Sequence, residues 1–305
     1  MPQEDLQLSN FLSLQFSYLR SLTIDACPIH KKEEAMSFWT RHPTLETIAI
    51  FTREKYTRWF VDPLPQVFLP NLRHFKAHFR EVRALAQILP QLRSLAVCNS
   101  INAQVPYLLR SIVDGGLPKL KSLYIRQTAS SSTRNVNIEG ALWYEAQDGT
   151  FHDGREGSIK RQGQASKRDF LKEYVHSIVR GVPNIEELCF ISLPSLTDLI
   201  GMSSDFSGLK NLKRMYIEVA AAYEDEVRDK ILANASLVLA QQSGLASLES
   251  VTNFTPEFPF SVAKIQRDRD GYPDEVVMDR GGGMEIGNED VAFLYADPDM
   301  RCCVE

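Results

Sequence analysis

Apolar residues recur along the chain in the pattern L-x-x-L-x-L, whose last two apolar positions have the two-residue spacing of a strand. The clearest copy is Leu92-x-x-Leu95-x-Val97. The full set of copies begins at Leu19, Leu45, Leu72, Leu92, Leu120, Ile185 and Leu212, with a weaker eighth at Leu245. Because side chains alternate across a strand, we expect Leu95 and Val97 to face a core and Ala96 to face the other way.

The spacing between copies is the spacing of a structural repeat. Most steps from one copy to the next span 20 to 28 residues, which is the period of leucine-rich repeats. A single step of 65 residues, from Leu120 to Ile185, indicates one repeat plus an insertion. Prolines stand two residues before the first apolar position at Pro70, Pro90, Pro118 and Pro183. We expect each of them to end a helix and to start an extended segment.

Segments with apolar residues three and four positions apart lie between the predicted strands, as in residues 31–42, 80–89 and 103–113. Strands alternating with helices predict an α/β fold, specifically a right-handed leucine-rich repeat solenoid of about eight repeats. In this horseshoe a parallel sheet lines the concave side and the helices lie on the convex side. We expect residues 1–260 to form the solenoid, with a hairpin and loop insertion at 127–166, and residues 261–305 to form a hairpin and a flexible acidic tail.

Composition and charge exclude several classes of protein. The formal net charge is −5, and residues 268–305 carry eleven acidic against three basic side chains, so no nucleic-acid surface is indicated. No apolar run approaches the length of a membrane span. The five cysteines are scattered and no signal peptide precedes them. We therefore expect reduced thiols and a cytoplasmic or nuclear location.

Signals for catalysis or metal binding are weak. His74 and His78 fall on a predicted strand, where four residues span about 13 Å, too far for two ligands of one ion. Gly281-Gly-Gly lacks the lysine of a phosphate-binding loop, and Cys189 and His176 lie in different repeats. The sequence therefore predicts no catalytic residue, no cofactor and no metal site. The alternative is an enzyme at the insertion, which would require His152, Asp153 and His176 to cluster.

The strand positions that flank the apolar ones are predicted to face the concave side. Tyrosine, arginine and histidine are frequent there, and such side chains are enriched in protein interfaces. We expect Tyr124, Arg126 and Tyr216 to anchor a protein partner. The complete predicted partner-binding set is His74, Lys76, His78, Tyr124, Arg126, Arg214, Tyr216 and Glu218.

The repeated leucines, the Leu-Pro-x-Leu lead-ins, the uneven repeat length and the Trp143-Tyr144 hairpin make residues 16–255 resemble the repeat regions of fungal F-box proteins. This resemblance implies a substrate-recognition or adaptor subunit of a cullin-type ubiquitin ligase. No F-box helical segment precedes the first copy, so ligase components are expected partners only where an F-box lies upstream. The alternative is a free-standing repeat scaffold unrelated to ubiquitin.

Overall fold

Ten strands form one open sheet in the computed structural model. The structure describes residues 10–25, 29, 31–51, 59–61, 63–100, 104–113, 115–127, 143–145, 151–153, 167–191, 196–217, 225–253 and 261–280. The eight copies of the pattern supply the parallel strands β1 (Ser21–Asp25), β2 (Thr47–Phe51), β3 (His74–His78), β4 (Ser94–Ser100), β5 (Ser122–Gln127), β8 (Glu187–Ile191), β9 (Arg214–Ile217) and β10 (Ser250–Asn253). They neighbour one another in chain order. The prediction of an α/β fold with a mostly parallel sheet is confirmed.

The antiparallel elements are two hairpins. β6 (Trp143–Glu145) and β7 (Phe151–Asp153) pair with each other inside the long step between copies. β11 (Ser261–Arg267) pairs with β10, and β12 (Pro273–Arg280) pairs with β11, so this second hairpin extends the main sheet. Both hairpins lie where the sequence predicted them. The predicted acidic tail after β12 lies outside the described residues.

Helical segments connect most of the parallel strands. The described helices are α1 (Lys32–Arg41), α2 (Phe79–Ala84), α3 (Gln104–Tyr107), α4 (Lys167–Gly181), α5 (Leu196–Gly201) and α6 (Asp225–Ser243). A π-helical turn, Leu108–Ile112, continues α3, and short 3₁₀ segments span Leu89–Gln91 and Ser203–Gly208. The predicted helix over 80–89 is therefore shorter in the structure, where α2 ends at Ala84. The described residues between β2 and β3 contain no helix.

One hydrophobic cluster joins the helices to one face of the sheet. Phe38, Val82 and Ile178 contribute to it from the helices, and Leu95 and Val97 contribute from β4. The repeated apolar positions stack in register, since Leu95 pairs with Phe75 on one side and with Leu123 on the other. All three side chains are at most 1% exposed. The sequence assigned these positions to the core correctly.

The same turn precedes every parallel strand. In the first seven copies the amide of the first apolar residue donates to the carbonyl three residues earlier, as Leu72 does to Leu69 and Leu120 does to Leu117. In the eighth copy the same bond joins Leu248 to Leu245, so this copy begins at Leu248 and not at Leu245 as predicted. Pro70 and Pro118 thus occupy the second position of a turn, which a φ fixed near −65° favours. The expectation that these prolines start an extended segment was wrong, because the chain turns at them and extends only after the leucine.

A side chain in this turn links five of the copies to the preceding one. The residue after the proline position donates a hydrogen bond to a backbone carbonyl one copy earlier: Asn71 to Pro43, Gln91 to Leu69 and Asn184 to Pro118. Thr44 and Ser247 make the equivalent bonds to Leu19 and Lys210. Each such bond satisfies a carbonyl at a helix-to-strand junction and fixes the register of two neighbouring strands.

Candidate polar site on the strand face

The sheet face opposite the hydrophobic cluster carries two rows of polar and aromatic side chains, and we call it the polar face. The strand registers align one row as Thr47, His74, Ser94, Ser122, Glu187, Arg214 and Ser250. They align the other as Ala49, Lys76, Ala96, Tyr124, Cys189, Tyr216 and Thr252. Residues from widely separated parts of the chain therefore lie side by side at the strand spacing of about 4.8 Å.

The polar face is itself buried. Tyr124 is 0% exposed, Tyr216 is 2% exposed and Lys76 is 3% exposed. These side chains are nevertheless separate from the hydrophobic cluster that contains the neighbouring Leu123 and Met215. The sheet therefore has a buried layer on each side, one apolar and one largely polar.

An ion pair lies at the centre of the polar face. Arg214 on β9 donates from Nη1 to Oε1 of Glu187 on β8, and Ser122 on β5 donates from Oγ to Oε2 of the same carboxylate at 2.9 Å. The Glu187 side chain is 4% exposed and that of Arg214 is 24% exposed. A buried carboxylate costs several kcal/mol unless it is paired in this way, so the three strands are held together by a charge with satisfied partners.

The tyrosine next to this pair is strongly perturbed. Burial raises the pKa of Tyr216 well above its usual range, and the negative charge of Glu187 raises it further, against an opposing effect of Arg214. Tyr216 thus remains a neutral phenol that donates and accepts hydrogen bonds, and it does not serve as a base. The ion pair and the neutral phenol therefore lie side by side on neighbouring strands.

Lys76 occupies the polar face two strands away from Tyr124. Its Nζ lies 4.8 Å from the centroid of the Phe51 ring, the geometry of a cation–π contact. The amine is buried with its residue 3% exposed. The Phe51 ring thus fixes the direction of the Lys76 side chain on this face.

The predicted partner-binding residues fall into three groups. His74, His78, Arg126 and Arg214 lie on the polar face with part of their surface exposed. Lys76, Tyr124 and Tyr216 lie on the same face and are buried. Glu218 lies outside the described residues. The structure therefore brings seven of the eight residues together on one face, and in this conformation it exposes four of them.

Two of the three predicted anchors, Tyr124 and Tyr216, are buried in the structure. Ala96 and Cys98, which we expected to face an open cavity, are 0% and 6% exposed. Tyr124 is buried in the same way. Arg126, two residues further along β5, is only partly buried, so it is the predicted anchor with the most accessible side chain.

Cys189 and His176 do not come together. Cys189 lies on the polar face, whereas His176 lies on α4, whose neighbouring Tyr174 and Val175 pack into the hydrophobic cluster on the other side of the sheet. The His176 imidazole is 3.2 Å from Asp205 instead. His152 and Asp153 fall on β7, whose side chains are outside the described ones. Within the described part of the chain, no group of three or more histidine, cysteine or acidic residues is arranged to hold a metal ion.

Two buried polar arrangements were missed by sequence reasoning. Glu81 on α2 is 3% exposed and accepts hydrogen bonds from the amides of Trp59 and Phe60 at 3.0 and 3.3 Å. Glu187 was assigned to the concave side but not to an ion pair. Its partner Arg214 occupies the matching position of the next copy, so comparing equivalent positions in neighbouring repeats was the signal that would have found the pair.

Comparison with known proteins leaves the family open. No protein-family model matches the chain, and no curated protein matches it significantly. Among the described helices, none combines the length and the apolar character required to cross a bilayer.

Proposed function

We propose that the chain is a leucine-rich repeat solenoid that recognises another protein without catalysis. Eight consecutive copies that each form a parallel strand after the same turn support the solenoid, as do the side-chain links that five of them make to the preceding copy. In that arrangement the polar face is the concave side of a horseshoe and α1 to α6 belong to its convex side.

The observation that carries the proposal is the composition of the polar face. Arginine, tyrosine and histidine side chains from β3, β5 and β9 lie on one face of a sheet whose other face packs on the hydrophobic cluster. Such side chains combine large rigid area with polar groups, and they dominate the energetics of protein interfaces. A small-molecule enzyme would require a deep pocket with convergent proton-transfer groups, and the described part of this face supplies an ion pair beside the neutral phenol of Tyr216 instead.

The resemblance to fungal F-box repeat regions suggests the biological setting. On this proposal the polar face binds the substrate of a cullin-type ubiquitin ligase, and ligase components join through an F-box upstream of the repeats. A free-standing scaffold unrelated to ubiquitin is the alternative, with the same face and no ligase. Co-purification of a cullin adaptor with the native gene product distinguishes the two, and the proposed location is the cytoplasm or the nucleus.

The test of the recognition face compares two charge reversals. Arg126→Glu changes a partly exposed side chain of the polar face, and Arg83→Glu changes an exposed side chain of α2 in the helix layer. Both variants and the wild type are used to capture proteins from cell extract, after circular dichroism has shown equal folding. We expect Arg126→Glu to lose specific partners that wild type and Arg83→Glu retain. Identical captured sets for all three would contradict the assignment of the polar face.

Tyr124 and Tyr216 are less suitable for this test because they are buried. Truncation of a fully buried aromatic side chain costs roughly 3–5 kcal/mol of stability, which would mix unfolding with loss of binding. The expectation that each loses more than about 1 kcal/mol of binding on truncation to alanine stays a prediction, and it applies to variants that fold as the wild type does.

A further inference from the structure

The amino-terminal edge of the sheet has backbone groups directed outward. The carbonyl of Arg20 accepts hydrogen bonds from the amides of Glu46 and Thr47 at the start of β2. Because strand backbone groups alternate in direction, the amides and carbonyls of Ser21, Thr23 and Asp25 point away from β2. All three residues are exposed, and β1 is the first strand of the described sheet. This edge therefore offers a template for another strand.

The opposite edge of the sheet, formed by β12, carries more charge than the β1 edge. β12 carries Asp274, Glu275 and Asp279, and the first two are exposed. Acidic side chains along an edge strand oppose pairing with a second copy of themselves, which is a common protection of sheet edges. β1 has only Asp25, at its end. The two edges are therefore not equivalent, and the amino-terminal edge is the one without charge protection.

The sequence of β1 is complementary to itself in one antiparallel register. With Thr23 opposite Thr23 of a second copy, Ser21 lies opposite Asp25, and no like charges meet. Leu22 of each copy then lies opposite Ile24 of the other, on the face of the sheet that carries the hydrophobic cluster. The outward backbone groups of both copies face each other, so the pairing satisfies them reciprocally.

Exposed apolar side chains flank this edge. Tyr18, three residues before β1, is 90% exposed, and Leu14 is 50% exposed. The segment that carries them is anchored on its other side, because the Phe16 amide donates to Nε2 of the buried His42 and Arg41 bonds the Leu12 carbonyl. Tyr18 and Leu14 are thus held in place on a rigid support while remaining open to solvent, which is the state of an unoccupied contact surface.

We propose that β1 is a self-pairing interface at which a second copy of this chain adds antiparallel to give a symmetric dimer with one continuous sheet. The two-fold axis passes through Thr23, so that residue faces its own copy. The interface is separate from the polar face and does not depend on the proposed recognition function.

The position of Thr23 on the axis gives a specific test by light scattering coupled to size-exclusion chromatography of the full 305-residue chain. The wild type is expected to be a dimer. Thr23→Lys and Thr23→Glu each place like charges opposite each other and should raise the dissociation constant at least about tenfold. An equimolar mixture of the two variants should recover the dimer, because opposite charges then meet. As a control, Val277→Lys on the β12 edge should leave the dimer intact.

Several results would overturn the proposal. A monomeric wild type at about 100 µM, well above the micromolar range of weak specific dimers, removes the interface. A dimer that persists in both Thr23 variants, or that the mixture fails to restore, places any association elsewhere. Open-ended larger species indicate head-to-tail pairing of β1 with β12 instead. If circular dichroism shows that either Thr23 variant is misfolded, Tyr18→Ser replaces it in the test, because the Tyr18 side chain is 90% exposed. Tyr18→Ser must then weaken the dimer.

Discussion

Replacing Leu95 by alanine tests how the repeats are packed. Leu95 is 0% exposed and lies between Phe75 and Leu123, its register partners on β3 and β5. The substitution removes three carbon atoms, a transfer contribution of about 2.4 kcal/mol at about 0.8 kcal/mol each. Because both neighbours are fixed in the same sheet, the site collapses little and the cavity adds to this loss. We expect a total of roughly 2–5 kcal/mol.

The loss is measured as a shift of the thermal midpoint. With an unfolding entropy of about 2.1 cal/mol/K per residue over the whole chain, this loss corresponds to roughly 3–8 °C. The matched control is Val67→Ala, which truncates an aliphatic side chain that is 74% exposed and should change stability by less than about 0.5 kcal/mol. Equal shifts for the two variants would refute the assignment of the repeated leucines to a shared core.

Three further predictions concern polar groups. Glu187→Ala should lower the free energy of unfolding, measured with denaturant, by roughly 3–5 kcal/mol, because it leaves Arg214 without its carboxylate. Adding Arg214→Met should restore part of this loss. A double variant no more stable than Glu187→Ala alone would contradict the ion pair. Asn184→Ala should cost about 1 kcal/mol by removing its bond to the preceding copy, and no measurable change in urea midpoint would count against that link. Burial raises the pKa of Tyr174, so its hydroxyl should stay protonated in the folded chain at an alkaline pH where it ionises in the unfolded chain. The stability that this pKa difference contributes is lost as pH rises through the folded pKa. An ultraviolet titration in which Tyr174 ionises at the same pH in the folded and the unfolded chain would contradict this prediction.

The strands could be predicted because the same local pattern occurs eight times along the sequence. Each copy places apolar residues at strand spacing after a turn, so an error in one copy is corrected by the others. β10 was the exception, since its weak copy was predicted to begin at Leu245 and the register with β9 places the start at Leu248. The helices were less predictable, because residues 80–89 carry a helical pattern of which only the first part, to Ala84, forms a helix.

The state of the polar face could not be predicted, because it depends on contacts between distant segments. Tyr124 and Lys76 have the same sequence context as exposed residues on a solenoid's inner side, yet both are buried. The Glu187–Arg214 ion pair likewise joins two copies, and the sequence of either copy alone does not indicate it. Local patterns determine which side of a strand a residue occupies, whereas burial of that side depends on what the rest of the chain contributes.

The affinity of a captured partner for variants on the two sides of the sheet tests the recognition function most directly. A purified partner is titrated calorimetrically into the wild type, Arg126→Glu and Arg83→Glu. The account predicts at least about a tenfold rise in Kd for Arg126→Glu, equivalent to about 1.4 kcal/mol, and no change for Arg83→Glu. Equal affinities for all three proteins, or a loss confined to Arg83→Glu, would contradict recognition through the polar face.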